Sequence, residues 1–374
     1  MGNVVAAYSQ YLEKFLYAGP ARCLGRLSHL RSLANTVNIQ LVTPAPLRIN
    51  NGNRITALRW AALLKKLGHR VRIRQHYDER PCDALIALHA RRSAGSIRRF
   101  HELHPQSPLI VVLTGTDLYR DIRHDRKAQQ SLELASRLVV LQNMALQELP
   151  RRLHAKTQVI YQSAEPSTAK PGHREQRYRV CLIAHLRNEK DPLRAPMAAR
   201  LLPPSSRIQV LHIGLALDDR LARRARAEAA RNPRYHWLGQ LSHRSTRKHL
   251  AQSRLVCITS KMEGSSNVLS EALATGVPVV ATRIPGLMGT LGKDFPGYFP
   301  VGDTKKLCAL LHKAETDPVF YRALKRHCAR AAKRVRPKRE IDAWRRLLRE
   351  IRDERKIMNH SLEKTLEKDF SRSK

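Results

Sequence analysis

"EGSSNVLSEALATGVPVVAT" occupies Glu263–Thr282. Two glutamates, Glu263 and Glu271, stand eight residues apart around a run of small polar residues. A β-branched run, "RLVCITS" (254–260), precedes them, and a second, "VPVVATRI" (277–284), follows. The order reads strand, Gly-Ser loop, helix, strand, which is one βαβ unit of a parallel sheet. Gly264, Ser265 and Ser266 make the loop, and Ser265 or Ser266 caps a helix that begins near Asn267 and Val268.

The same alternation runs through the 374 residues. A first set of short apolar runs is "NIQLVTP" (38–44), "RVRIRQ" (70–75), "ALIALHA" (84–90), "LIVVLTG" (109–115), "RLVVLQ" (137–142) and "QVIYQS" (158–163). Amphipathic segments separate them, such as "RITALRWAALLKKLG" (54–68), with Gly68 placed to end it. After the Pro-, Gly- and charge-rich stretch "AEPSTAKPGHREQR" (164–177), the pattern restarts at "YRVCLIAH" (178–185). It continues through "RIQVLHIG" (207–214) and "YHWLG" (235–239). The expected class is α/β, with two Rossmann-like doubly wound domains facing a central cleft. The expected boundaries are an extension at 1–37, a first domain at 38–165, a linker at 166–177, a second domain at 178–336 and a helical end at 337–374. Part of that end is expected to return to the first domain.

Lys and Arg number 69 against 31 Asp and Glu, a formal charge of +38, which favours anionic partners. Aromatics are only 5% and are not interleaved with the basic residues, which argues against a nucleic-acid partner. No apolar run approaches the roughly 18 residues of a membrane span, so no stable membrane insertion is expected. The six cysteines form no CxxC pair, and the 17 histidines show no metal spacing. No resident metal or cofactor is expected. The start, "MGNVVAAYSQYLEKFLYAG" (1–19), lacks a basic leader, and Cys181 and Cys257 lie inside apolar runs. Both features fit a reducing cytoplasm.

A capped helix start offers unpaired N–H groups and partial positive charge, a seat for a phosphate or diphosphate. Glu271 lies one turn further in, about 6 Å along the axis. Each carboxylate oxygen accepts one hydroxyl proton. Acids on both sides of an anion seat therefore fit a nucleoside diphosphate sugar, which has hydroxyls at both ends and charge between.

At this point the stretch resembles the E-x7-E signature of the GT-B glycosyltransferases of the large retaining family that uses nucleotide sugars. That resemblance implies a fold of two facing Rossmann-like domains, with Glu263 on the donor sugar and Glu271 on the ribose. It places Arg187 and Lys190, in "HLRNEKDP" (185–192), on the diphosphate, and Gly239, in "WLGQLS" (237–242), beside the base. Two cations there would neutralise the charge that grows on a departing nucleoside diphosphate.

The first domain should carry the acceptor. Gly52, between Asn51 and Asn53, marks a tight loop before a helix and is another candidate anion seat. Arg54 stands at that helix start, where a cation is unfavourable for the dipole, and so is assigned to a ligand. "LHARRSA" (88–94) brings His89, Arg91 and Arg92 to the end of the third strand, followed by a helix expected over 91–104. "LTGTDLYRD" (113–121) brings Thr114, Gly115, Thr116 and Asp117 to the end of the fourth. The family places a histidine directly before the corresponding glycine. Thr114 stands there instead, which leaves Asp117 and His89 as the polar candidates.

"GNRITALRWAALLKKLGHRV", "CDALIALHARRSA", "LTGTDLYRDI" and "VIYQSAE" together resemble the selenosugar synthases of selenoneine biosynthesis, over residues 38–350. That resemblance implies transfer of N-acetylglucosamine or glucose from a UDP-sugar to selenophosphate, with other enzymes of the pathway as contacts. Selenophosphate is a compact polyanion whose selenium is already deprotonated. It requires cations rather than a strong base, and Arg54, Arg91 and Arg92 are the candidates. The alternative is a retaining GT-B glycosyltransferase acting on a lipid, glycan or other small-molecule acceptor.

Overall fold

β-Branched and aliphatic runs with no polar alternation form the centre of each sheet, as expected for parallel strands covered on both faces. The computed structural model describes residues 36–45, 52–167 and 177–372. Residues 1–35 of the expected extension at 1–37, residues 46–51 and most of the expected linker, 168–176, lie outside the described residues.

The first sheet contains β1 (Asn38–Val42), β2 (Arg70–Arg74), β3 (Ala84–Leu88), β4 (Leu109–Leu113), β5 (Arg137–Val140) and β6 (Thr157–Val159). Its order is β2-β1-β3-β4-β5-β6, all parallel. Every residue of β3 and β4 is buried. Helix α1 (Gly52–Lys66) covers one face, while α2 (Ala94–Leu103) and α3 (Arg126–Leu134) cover the other. Helix α2 starts three residues later than expected. The Ser93 hydroxyl donates to the Leu88 carbonyl at 2.7 Å and folds residues 91–93 into a turn instead.

The second sheet contains β7 (Tyr178–Ile183), β8 (Ile208–Ile213), β9 (Tyr235–Trp237), β10 (Leu255–Ile258), β11 (Val279–Thr282) and β12 (Tyr298–Phe299). Its order, β12-β11-β10-β7-β8-β9, reverses direction between β7 and β10. Ligands bind at the strand C-termini of such a switch point. The intervening helices are α4 (Arg194–Arg200), α5 (Asp219–Arg231), α6 (His243–Ala251), α7 (Asn267–Thr275), α8 (Pro285–Leu291), α9 (Thr304–Thr316) and α10 (Pro318–Ala332). Asp218 caps α5 as its sequence suggests, accepting from the Leu221 amide at 2.9 Å.

Helix α11 (Pro337–Arg372) packs on the first domain. Trp344, Leu347, Leu348 and Ile351 join the core beneath α1, with Trp60 and Trp344 edge to face at 4.8 Å. Glu340, fully buried, takes hydrogen bonds from Trp60 Nε1 at 2.6 Å, Arg59 Nε at 3.1 Å and the Ser163 amide at 3.1 Å. A buried carboxylate with a cation and two further donors is satisfied, whereas an unpaired one would be very costly. Among the described residues no helix is long and apolar enough to cross a membrane, and no cluster of His, Cys, Asp and Glu could hold a metal. Cys82, Cys181, Cys257, Cys308 and Cys328 are free thiols, and burial pushes Cys181 up to about 12.

Candidate active site

β10 ends at Ile258, and the loop to α7 turns straight back to the β7 loop beside it. The Thr259 hydroxyl donates to the Lys190 carbonyl and the Lys261 amide to the Glu189 carbonyl, both at 2.8 Å. Lys261 Nζ also donates to Asn188 Oδ1 at 2.8 Å. These bonds fix the short 3-10 turn Asn188–Lys190 and deliver Lys190 to Glu263. Glu263 Oε1 accepts from Lys190 Nζ, and from the Ser260 hydroxyl at 2.6 Å. Glu263 is buried, and among the described residues its second oxygen has no partner. Arg187 precedes the same turn. Its Nε is buried with no hydrogen bond among the described residues, 4.0 Å from the Glu189 carboxylate.

Of the two candidate caps, Ser266 holds α7, its hydroxyl accepting from the Leu269 amide at 3.4 Å. Glu271, one turn in, accepts from His243 Nε2 at 3.0 Å through Oε1. Gly239 has φ +68° and its carbonyl accepts from the Gly214 amide at 2.8 Å, at the end of β9 on the same edge. Trp237 Nε1 donates to the Gly214 carbonyl at 2.9 Å and holds this segment against β8.

The start of α7 meets the first domain. Asn267 Oδ1 accepts from Arg59 Nη1 at 2.9 Å, and Asn267 Nδ2 donates to the Gly52 carbonyl at 3.2 Å. Gly52 is the first residue of α1, so two helix N-termini stand together at the domain boundary. Both contribute N–H groups and partial positive charge. Asn53 and Arg54 follow in the first turn of α1, partly exposed. Gly264 lies against the β4 loop so closely that a Cβ would stand 2.4 Å from the Thr114 carbonyl oxygen. Gly115, with φ +149°, completes that contact. Ser265 and Val268, on either side of this contact, are partly exposed.

Asp117 requires a correction. The sequence set it among the catalytic groups, but the structure places it beneath the loop, fully buried. Oδ1 accepts from the Thr114 amide at 2.9 Å and the Gly115 amide at 2.8 Å, and Oδ2 accepts from the Ala90 amide at 3.0 Å. A carboxylate occupied by three backbone donors ties the ends of β3 and β4 together. His89 is likewise buried, with a left-handed φ of +75°. Its Nδ1 accepts from the Arg92 amide at 3.3 Å, so Nε2 carries the proton and donates to the Thr116 hydroxyl at 2.9 Å.

Arg91 and Arg92 line a cavity of about 590 Å³ with His124, Asp125, Arg126 and Lys127. Asp125 caps α3 through the Ala128 amide and pairs with Arg91 Nε at 2.7 Å. The Ala128 amide, the largest influence, holds its carboxyl below the usual range; burial opposes it, and Arg91 adds to the lowering. The sequence reading missed residues 124–127, although the basic run "RHDRK" (123–127) was visible. It also missed α8, whose Pro285 at the first helical position is a start signal. A Cβ on Gly286 would stand 1.8 Å from the Glu263 carbonyl oxygen, so α8 supports the Glu263 backbone.

Two facing Rossmann-like domains with their ligand edges in contact are the architecture of GT-B glycosyltransferases. Within it, residues 163–335 match the family described as Glycosyl transferases group 1. Solved structures share the fold at low identity. HepE of Anabaena, in complex with UDP-glucose, aligns with TM-score 0.63 and 15% identity over 85% of this chain and 98% of that one. Sucrose-phosphate synthase of Thermosynechococcus elongatus aligns with TM-score 0.65 and 14% identity over 87% and 99%. The UDP-forming α,α-trehalose-phosphate synthase of Burkholderia vietnamiensis aligns with TM-score 0.61 and 12% identity over 82% and 81%.

Proposed function

We propose that this protein is a cytoplasmic glycosyltransferase that moves a sugar, N-acetylglucosamine or glucose, from a UDP-sugar to selenophosphate. One observation carries the donor half: Glu263 and Glu271 are each held through one oxygen, on either side of a capped helix start at the domain boundary. In this reading Glu263 accepts from sugar hydroxyls and Glu271 from the ribose. The α7 amides, Arg187 and Lys190 take the diphosphate, and the backbone near Gly239 meets the base. Selenium attacks the anomeric carbon, the bond to the diphosphate oxygen breaks, and UDP leaves with the electron pair. Lys190 and Arg187 neutralise that charge, and a single preorganised donor of this kind accounts for about 10²–10³ in rate. The selenosugar family then implies loss of the phosphoryl group to water.

The acceptor half is supported by cations. Arg91, Arg92, Arg126 and Lys127 gather at the ligand edge of the first sheet. Asp117 and His89 are buried behind it, so neither is placed to deprotonate a neutral hydroxyl. An anionic nucleophile that needs no base fits this arrangement. A second reading follows from the cavity volume, which exceeds what a selenophosphate needs. It suits a larger phosphorylated small-molecule acceptor.

Purified protein with several UDP-sugars, offered selenophosphate, thiophosphate, phosphate or a hydroxyl-bearing sugar phosphate, tests both readings by mass spectrometry. The expected products are UDP and a selenosugar with selenophosphate. UDP release only with a hydroxyl-bearing phosphorylated acceptor would replace the first reading with the second. No UDP release from any UDP-sugar would remove the donor assignment.

A further inference from the structure

We propose that His243 is a positioning residue of the donor site, holding Glu271 so that one carboxylate oxygen is presented in a fixed direction to the ribose. The inference rests on reading Glu271 as the ribose contact.

Glutamate has several rotatable bonds, and a single fixed acceptor must be restrained against that freedom. Glu271 is restrained from outside its own helix. His243 opens α6, where the Ser242 hydroxyl caps the helix by accepting from the Ser245 amide at 3.1 Å. The ring therefore comes from a rigid start, on a connection separate from the one carrying both acids. Nε2 reaches Glu271 Oε1 at 3.0 Å, and Glu271 Oε2 has no partner among the described residues. The Glu271 side chain is 12% exposed and the His243 side chain 57% exposed. The pair thus sits at the rim, its acid turned inward and its base toward water.

The charged groups facing His243 are Glu271 from α7 and Arg247 on its own helix. The hydrogen bond that the imidazole donates to Glu271 raises it above its ordinary value, outweighing burial and Arg247. The protonated ring makes the stronger, charge-assisted bond. Its restraint on Glu271 is therefore complete below the ordinary histidine value and weakens as pH rises through the raised one.

The test is steady-state kinetics on the full chain with UDP-N-acetylglucosamine across pH 5.5–9. His243→Ala should raise KM for the UDP-sugar about 5–10-fold with kcat within about twofold, the signature of lost uniform binding. His243→Gln keeps a donor and should recover most of the KM. Wild type should show KM rising with pH, and both variants should flatten that rise. A wild-type KM and pH profile in His243→Ala, alongside a raised KM in Glu271→Gln, overturns this inference and leaves the donor reading intact. An unchanged KM in Glu271→Gln removes both. A His243→Gln that behaves like the alanine variant while folding normally rejects restraint by hydrogen bonding.

Discussion

At the ligand edge of the second sheet, functional side chains are held by one another: Lys190 and Ser260 grip Glu263, and His243 grips Glu271. At the ligand edge of the first sheet, the side chains grip backbone. Asp117 and His89 take amide protons beneath the surface, while Arg92, Arg126 and Lys127 line an open cavity with no ion pair among the described residues. The first kind of edge recognises a shape with hydroxyls at set positions. The second supplies a field, which draws in an anion without dictating its outline.

That contrast breaks most sharply at Lys190. Lys190→Ala removes a positioned cation from the second edge and leaves Glu263 with one fewer donor. UDP release from UDP-sugar and acceptor should fall about 10²–10³-fold. Full turnover would show that the pairing is structural. Gly264→Ala tests the meeting of the edges, because its Cβ would stand 2.4 Å from the Thr114 carbonyl. A backbone contact cannot swing aside, so activity should drop at least about tenfold, with each domain core retained and near-native far-UV circular dichroism. Wild-type activity would mean that the contact is not needed for turnover.

His212 probes how tightly the second edge is packed. Its Nε2 donates to the Ala184 carbonyl at 2.8 Å, and Nδ1 accepts from the Tyr235 hydroxyl at 2.7 Å. Burial pulls the imidazole down to about 4. The unfolded chain binds this proton more readily, so stability is full above about pH 6.5 and falls as pH drops toward 4. Urea denaturation should show a loss approaching about 1.4 kcal/mol per pH unit from this group, absent in His212→Gln. The smallest effect belongs to the field. Arg126→Ala should raise KM for an anionic acceptor about 2–5-fold and leave KM for the UDP-sugar unchanged, since one exposed cation among several contributes about 1 kcal/mol or less. A larger effect on the UDP-sugar would move Arg126 to the donor side.

The two edges were also unequally readable from the sequence. Glu263, the Gly-Ser loop and Glu271 are local: one strand, one turn and one helix carry them, so spacing alone brings them together. Lys190 and Arg187 entered only through the family resemblance; that β7 lies beside β10 is a finding of the structure. His243 escaped notice because its bond to Glu271 spans 28 residues and depends on the start of α6. At the first edge, Asp117 looked catalytic because it follows a strand, yet a short side chain after a tight glycine turn satisfied its own backbone instead. Arg126 and Lys127 sit at a helix start that becomes a cavity wall only when α3 packs against α2. The buried Glu340 that fastens α11 to Arg59 and Trp60 left no mark in the sequence, because its partners lie 177–281 residues away.

Calorimetric titration of UDP and of UDP-N-acetylglucosamine into wild type, Glu263→Gln and Glu271→Gln tests the central claim most directly. If one acid holds the sugar and the other the ribose, Glu271→Gln weakens both ligands about 10–100-fold. Glu263→Gln then weakens only the UDP-sugar. Equal losses for both ligands in Glu263→Gln, or none in Glu271→Gln, would contradict a donor gripped at its two ends.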